Sequence, residues 1–351
     1  MFSDGYHYSF LRHSHCKVEI TSKIARKRKR NIMQYFRMQN MKRLSFLAAA
    51  TIILLLLCAP NAGATINAHY LYTFSDFNGK IPYTWPGLSL DREHGEIYVI
   101  NQGSVSVFNS VGMEVYRFGD DRALGLITDV AVEKDGTILV LAYRGYSFSI
   151  LRCNFRGELK SALKLTGLPQ EFSELRPNRL VYWNGDIYLA DLQARKIVVI
   201  DSSGAFIDGY DVGAILKEKE EEKPGTENDL VGFNVDLHGN MLFTVPTMFV
   251  AYRLSRDHKA ESFGSPGNID GKFNVVGGIA SDDRGFIYVA DLLKNTVMVY
   301  DNNFKFQMQF GHRSSERGSL YTPLQIEVMN DKLIVNQARK KGVSVFRMQY
   351  D

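Results

Sequence analysis

A short apolar strand recurs six times along the chain, as Ile97-Tyr98-Val99, Ile138-Leu139-Val140, Ile187-Tyr188-Leu189, Met241-Leu242-Phe243, Ile287-Tyr288-Val289 and Leu333-Ile334-Val335. The central residues lie 41, 49, 54, 46 and 46 positions apart, and a period of that size marks a repeat architecture. Each copy is built alike. A first strand precedes the marker, at 88–90, 130–132, 180–182, 233–235, 278–280 and 324–326. A tight turn follows, with Gly95, Gly136, Gly185, Gly239 or Gly285 where a hairpin demands positive φ, and Asn330-Asp331 in the sixth copy. Third strands such as Val105-Ser106-Val107-Phe108 and more polar fourth strands such as Val115-Tyr116-Arg117-Phe118 complete the unit. Four antiparallel strands per repeat of this length predict an all-β fold, a six-bladed β-propeller of four-stranded blades. The sixth copy stops after Val343-Ser344-Val345-Phe346, while Tyr70-Leu71-Tyr72-Thr73-Phe74 belongs to no later copy. Pairing these two completes the last blade and closes the ring, which removes an exposed edge.

The fifth copy is the most regular: a loop from Phe263-Gly264-Ser265-Pro266-Gly267 to Phe273, then Gly278-Ile279-Ala280, Gly285, Ile287-Tyr288-Val289-Ala290-Asp291, Asn295 and Val297-Met298-Val299-Tyr300. The third copy keeps Tyr188-Leu189-Ala190-Asp191 and Ile197-Val198-Val199-Ile200-Asp201. In these residues the chain resembles the NHL-repeat propellers, of the bacterial exported type. Copies one, two, four and six keep the strands but lose the Ala-Asp pair. The resemblance spans residues 65–351 as architecture and implies a fold, because one fold hosts many functions.

Composition agrees. Apolar residues make up 45% and charged residues 23%, which excludes collagen, wholesale disorder and a many-spanned membrane protein. Tyr (18), Phe (22) and Gly (29) outweigh Pro (9), a mix suited to strands and glycine turns. Charge is uneven. Residues 1–64 hold 11 of the 42 Lys+Arg and 2 of the 38 Asp+Glu, leaving 31 basic against 36 acidic in the rest. The basic footprint thus lies in the leader, and nucleic acid is not an expected partner.

The leader divides in two. Met41-Lys42-Arg43, the apolar run Leu44–Leu57, Pro60 and Ala62-Gly63-Ala64 form a secretory signal peptide over 41–64, with cleavage expected after Ala64. The apolar run is shorter than the roughly 20 residues of a spanning helix, so the mature form is not expected to span a membrane. Residues 1–40, with Arg26-Lys27-Arg28-Lys29-Arg30, fit no part of the signal and read as a misplaced start or a disordered basic leader. The expected location is the periplasm or outside the cell. Cys16 and Cys58 lie in the leader, so Cys153 alone remains in the propeller of 65–351, without an internal disulfide partner or a thiol metal motif.

Topology assigns the loops to two faces. Turns between first and second strands, and between third and fourth, share one face and are short. Loops between second and third strands, and the blade-to-blade connections, share the other, and several are long: 166–177, 212–230, 264–275 and 311–322. Variable loops on a rigid scaffold carry binding residues. The aromatic candidates there are Tyr83, Trp85, Tyr143, Tyr146, Phe249 and Tyr321; the basic ones are Arg122, Arg144, Arg195, Lys294, Arg339, Lys340 and Lys341. Exposed aromatic and Arg groups anchor protein interfaces. The charge run Lys217–Pro224 reads as a solvated insertion, helical before Pro224.

Some six-bladed propellers are enzymes. Lactonases resembling gluconolactonase hold calcium in the channel with carboxylates and amides, and lyases of similar shape hold zinc with histidines. At the start of the innermost strands this sequence offers one carboxylate, Asp129, with Asn178 and Asn234 as neutral oxygens. That is a weak candidate metal set, since calcium sites converge several oxygens. His94, His238 and His258 lie in or near short turns on the other face, His69 near the mature terminus and His312 alone on the loop face, which does not make a zinc triad. No catalytic residue and no cofactor follow from these positions. The reading is a monomeric protein-binding scaffold working through its long-loop face, with an envelope or extracellular protein as partner. A metal-dependent lactonase, hydrolase or lyase at the channel mouth is one alternative. The other is a glycan binder stacking sugars on Tyr83 and Trp85.

Overall fold

The computed structural model describes residues 66–76, 79–219 and 229–351, together with Met33 and Met38. The predicted basic leader and signal peptide otherwise lie outside the described residues, as does the charge run from residue 220 to Pro224. The chain divides into two units, Met1–Ala64 and Thr65–Asp351, and the second holds the strands.

Six four-stranded antiparallel sheets follow one another along the chain. Blade five shows the plan: an innermost strand Val276–Ser281, then Ile287–Asp291, Thr296–Tyr300 and an outermost Phe306–Phe310. The innermost strands of blades one to four are Gly87–Asp91, Leu126–Val132, Arg179–Trp183 and Phe233–Val235. The sequence markers are the second strands. Ile287–Asp291 and Thr296–Tyr300 are buried at every position, because each blade is covered on both faces by its neighbours. That double coverage is why the markers read as continuous apolar runs rather than as alternating strands.

The core is a ring of six apolar layers, one between each pair of blades. Tyr98 and Val140 share the layer of blades one and two, Leu139 and Leu189 that of two and three, and Tyr188 and Phe243 that of three and four. Leu242 and Val289 join blades four and five, and Ala290 and Val335 join five and six. The sixth layer, between blades six and one, gathers Phe74, Leu88, Phe108, Ile334 and Val345. Phe74 and Phe108 stack there with centroids 4.4 Å apart.

That layer exists because the ring closes. Blade six runs Ile326–Met329, Lys332–Asn336 and Val343–Tyr350, and its fourth strand is Ile66–Thr73 from the other end of the propeller. The pairing is antiparallel from Ile66 with Tyr350 to Thr73 with Ser344, with a bulge at Leu71. The closing strand therefore begins earlier than the Tyr70 expected from sequence and ends at Thr73. A two-stranded ribbon, Ser75–Asp76 with Gly79–Lys80, then leads towards blade one.

The innermost strand of blade six departs from expectation. It was expected at 324–326 and lies at Ile326–Met329. A slip of two residues keeps the same side chains towards the core, so apolar alternation does not distinguish the two registers. Turn length does. Met329 pairs with Lys332 across a two-residue turn, Asn330-Asp331, with Asn330 at φ 56. Leu324 and Gln325 instead donate their backbone N–H groups to Asn336 Oδ1, at 3.1 and 2.6 Å. The shift places Glu327, rather than Gln325, on the innermost strand.

The helix expected before Pro224 is Val212–Lys219 and takes in the first residues of the charge run. No helix among the described residues is long and apolar enough to cross a membrane.

Candidate functional site: the loop face and the channel

The loop face is stapled to the blades by side chains at one repeat position. Asp291, fully buried, accepts from the backbone N–H of Asn274 at 2.7 Å with one oxygen and of Lys294 at 2.9 Å with the other. It thereby ties the blade-to-blade connection to the loop between second and third strands. Asp191 does the same with Arg176 and Ala194, at 2.8 and 2.9 Å. In blade six Gln337 stands at this position, and its Oε1 accepts from Tyr321 N at 2.9 Å. In blades three, five and six this accounts for the polar residue at the end of the marker, because buried loop N–H groups need acceptors; blades two and four carry Ala142 and Val245 there.

The candidates on this face separate by exposure and partner. Tyr83 is buried in the layer of blades six and one, and its hydroxyl donates to Ser106 Oγ at 3.2 Å. It belongs to the core, so it cannot stack on a sugar beside Trp85. Trp85 is 46% exposed, with its indole N–H donating to Thr322 O at 3.0 Å. Tyr143 is half-buried and donates to Pro177 O at 2.9 Å, whereas Tyr146 is 87% exposed with the Arg176 guanidinium 5.9 Å from its ring. Phe249 packs against the layer of blades four and five.

Among the basic candidates, Arg122 and Arg144 are exposed and donate to the backbone carbonyls of Gln102 and Ala123. Arg195 is half-buried beside the start of the short helix, near Gly213. Lys294 donates to the carbonyls of Ile269 and Lys272 at 2.7 and 2.6 Å, and burial holds its ammonium below the usual lysine range. Lys294 therefore braces a loop.

One sector of the face gathers cations that are not so committed. Tyr321 has Lys341 Nζ 4.6 Å from its ring centroid, with the guanidinium groups of Arg313 and Arg339 at 5.5 and 5.9 Å. Lys340 adjoins them, its backbone N–H held by Thr84 Oγ1 at 3.1 Å. These groups come from three connections: 311–322, the loop after the second strand of blade six, and the entry into blade one. Arg339 and Lys340 both adopt left-handed backbone, φ 54 and 59. Such a conformation costs roughly 1 kcal/mol or more for a non-glycine residue and collects at functional positions. Beside them lies a cleft of about 440 Å³ whose lining includes Lys80, Arg317, Lys341 and the strand Tyr70–Thr73. Burial and the neighbouring Lys341 charge push the Lys80 ammonium below its ordinary range. Lys80, Arg313 and Arg317 escaped the sequence reading. Lys80 comes to this sector from the ribbon before blade one, whereas Arg313 and Arg317 share the 311–322 loop with Tyr321 and differ from other loop cations only in what they face.

The channel holds a different kind of charge. Arg179 projects between two buried carboxylates, with Nε 3.5 Å from Asp129 Oδ2 and Nη2 3.5 Å from Glu327 Oε1. Asp129 also accepts from Leu180 N and Val130 N at 2.8 and 3.0 Å, and Glu327 from Asn234 Nδ2 at 2.9 Å. Burial raises both carboxyl groups above their usual range, that of Asp129 to about 6, against the opposing pull of Arg179. The expected oxygens are thus occupied by N–H donors. Asn234 Oδ1 accepts from Val235 N at 2.8 Å, and Asn178, exposed, accepts from Leu192 N at 3.2 Å. Arg179 and Glu327 were missed because the inner strands were read at their first residues and blade six two residues early.

A cavity of about 270 Å³ at the short-turn end of the channel is lined by Arg92, Arg179, Trp183, Asn234, Asp283 and Glu327 among others. Among the described residues no three or more His, Cys, Asp or Glu side chains converge as a metal site. Cys153 is buried, and desolvation lifts its thiol to about 11.

No protein-family model and no curated protein matches the sequence. The fold does match solved structures. A Bacteroides thetaiotaomicron protein of unknown function aligns over 81% of this chain and 76% of its own, with 12% identity and a TM-score of 0.55. The PQQ-bound aldose sugar dehydrogenase of Streptomyces coelicolor aligns over 82% of this chain and 99% of its own, at 12% identity and a TM-score of 0.51. A catalytically inactive virginiamycin B lyase from Staphylococcus aureus, solved with quinupristin, aligns over 77% and 83%, at 11% identity and a TM-score of 0.50. At such identities the likeness is one of fold: this chain is a closed six-bladed β-propeller.

Proposed function

We propose that the chain is an exported propeller of the NHL-repeat type that binds an envelope or extracellular protein through its long-loop face. The observation that carries this reading is the exposed sector around Tyr321 and Trp85, where aromatic and cationic groups stand on loops stapled by buried side chains. Rigid presentation lowers the ordering cost of binding, and aromatic and basic groups are the usual anchors of such interfaces. The Asp191 and Asp291 staples support the NHL resemblance, since they give its Ala-Asp motif a physical role. Export and the signal peptide over 41–64 rest on the leader sequence.

The test is capture from envelope extract on the immobilised chain, beside a variant with Arg144, Arg195, Arg339, Lys340 and Lys341 changed to Glu. A protein held by the first and lost by the second, with unchanged circular dichroism and melting temperature, is the expected result. Equal capture by both would overturn the reading.

A second reading, a hydrolase or lyase working in the channel, is favoured by the 270 Å³ cavity and its Arg179–Glu327 lining. Turnover of a lactone or cyclic peptide, abolished by Glu327→Gln in a folded variant, would select it.

A further inference from the structure

We infer that the cleft beside Tyr321 is an acid-binding site, which takes an acidic peptide segment of the partner between Lys80, Arg317 and Lys341. The inference rests on the loop-face reading and specifies the partner's chemistry.

Three observations lead to it. First, the cations gather against the electrostatic grain of the propeller. Residues 65–351 are net acidic, yet Lys80, Arg313, Arg317, Arg339, Lys340 and Lys341 meet in one sector, with Glu316 as the carboxylate of the cleft lining. Second, no ion pair among the described residues involves any of these six, whereas Arg117, Arg152, Arg253 and Arg256 each pair with a carboxylate. Lys80 and Lys341 both line the cleft, where burial and then the Lys341 charge hold the Lys80 ammonium below its ordinary range, and an entering anion would offset both effects. Third, Lys341, the cation shared by the cleft and the Tyr321 ring, stands on a fixed support. Gln337, which also lines the cleft, anchors Tyr321 by its backbone, and the Tyr321 ring carries three of the cations.

The same geometry favours a peptide carboxylate over a sugar ring. Cations crowd the Tyr321 ring and Tyr83 is buried, which leaves the exposed Trp85 with neither as a stacking partner for a pyranose, while charge is plentiful. Arg317 and the two lysines can receive successive carboxylates, the arginine in bidentate fashion.

The test uses the full chain and a fluorescein-labelled hexaglutamate peptide followed by fluorescence polarisation. Binding is expected at low salt, to weaken at least tenfold in the double variant Lys80→Glu/Lys341→Glu, and to fall steeply between 50 and 200 mM salt, since such contacts are screened over about a Debye length. This variant and its control are made in chains whose Arg26-Lys27-Arg28-Lys29-Arg30 run is changed to Ser, so that the leader does not hold the probe. The control, Lys134→Glu/Arg156→Glu, an equal charge change on the opposite face, is expected to bind within twofold of its parent. Tyr321→Ala is expected to weaken binding several-fold and Tyr321→Phe to leave it unchanged. Equal losses from the two double variants would overturn the site, as would binding of polygalacturonate with none of hexaglutamate. If partner capture depends on Arg144 and Arg195 but not on Lys80 and Lys341, the acid cleft falls while the loop-face reading stands.

Discussion

The molecule carries charge in two places and treats it in opposite ways. In the channel, Arg179 stands between Asp129 and Glu327, and further donors from Leu180, Val130 and Asn234 satisfy the remaining oxygens. On the rim, Arg313, Arg339 and Lys341 surround Tyr321, and no carboxylate among the described residues pairs with them. Buried charges without partners are expensive, so the channel set has to be closed upon itself if the blades are to meet. Exposed charges face no such demand and can be left open. The difference teaches how to sort ionisable groups in a propeller. A group whose partners lie on neighbouring inner strands serves the ring, and one left unpaired on a stapled loop is available to something outside it.

The largest effect is expected at Arg179. Replacing it by Met leaves two buried carboxylates without their counter-charge, and we expect a loss of about 3–5 kcal/mol, read as a drop in Tm of roughly ten degrees. Adding Asp129→Asn and Glu327→Gln to that variant is expected to restore much of the loss. A Tm unchanged by Arg179→Met would show that the channel network does not hold the ring.

Asp291→Ala comes next. It removes the acceptor of the Asn274 and Lys294 N–H groups, and stranding buried donors costs about 1–3 kcal/mol. Hydrogen exchange is expected to rise in the loops around 274 and 294 before the strands of blade five open.

A smaller effect separates the regions by pH. The Asp129 carboxyl, raised to about 6, binds its proton more tightly folded than unfolded. Stability from this group is therefore greatest below about pH 4 and is lost as pH rises towards 6, with Arg179 and Glu327 setting the remainder. Asp129→Asn is expected to flatten that part of the stability profile, measured by urea unfolding at fixed pH values. Lys80→Ala/Lys341→Ala is expected to leave the profile as it was, and to change stability by less than about 0.5 kcal/mol, because surface charges contribute little.

Most of the fold is legible in the sequence because both faces of every marker strand are buried. Continuous runs such as Ile138–Val140 and Ile287–Val289 cannot be placed elsewhere without exposing them. Ring closure is legible for a related reason: Val343–Phe346 and the strand ending at Thr73 each lack a partner until they meet. The channel is not legible to the same degree. Glu327 reaches it through a register that alternation cannot distinguish, and nothing local to Arg179 marks it as an inner-strand cation paired to blades two and six. On the rim, the topology brings out Tyr321, Arg339, Lys340 and Lys341. It leaves Tyr83 misplaced, because a loop aromatic that wedges between blades six and one has the same local sequence as one that faces solvent.

In this propeller, rim cations bind while channel charges fold. Thermal melting and hexaglutamate binding, measured together on Arg179→Met and on Lys80→Glu/Lys341→Glu, test it most directly. A large fall in Tm with affinity retained below the transition is expected for the first, and an unchanged Tm with affinity lost at least tenfold for the second. Loss of both properties in the rim variant, or of neither in the channel variant, would contradict it.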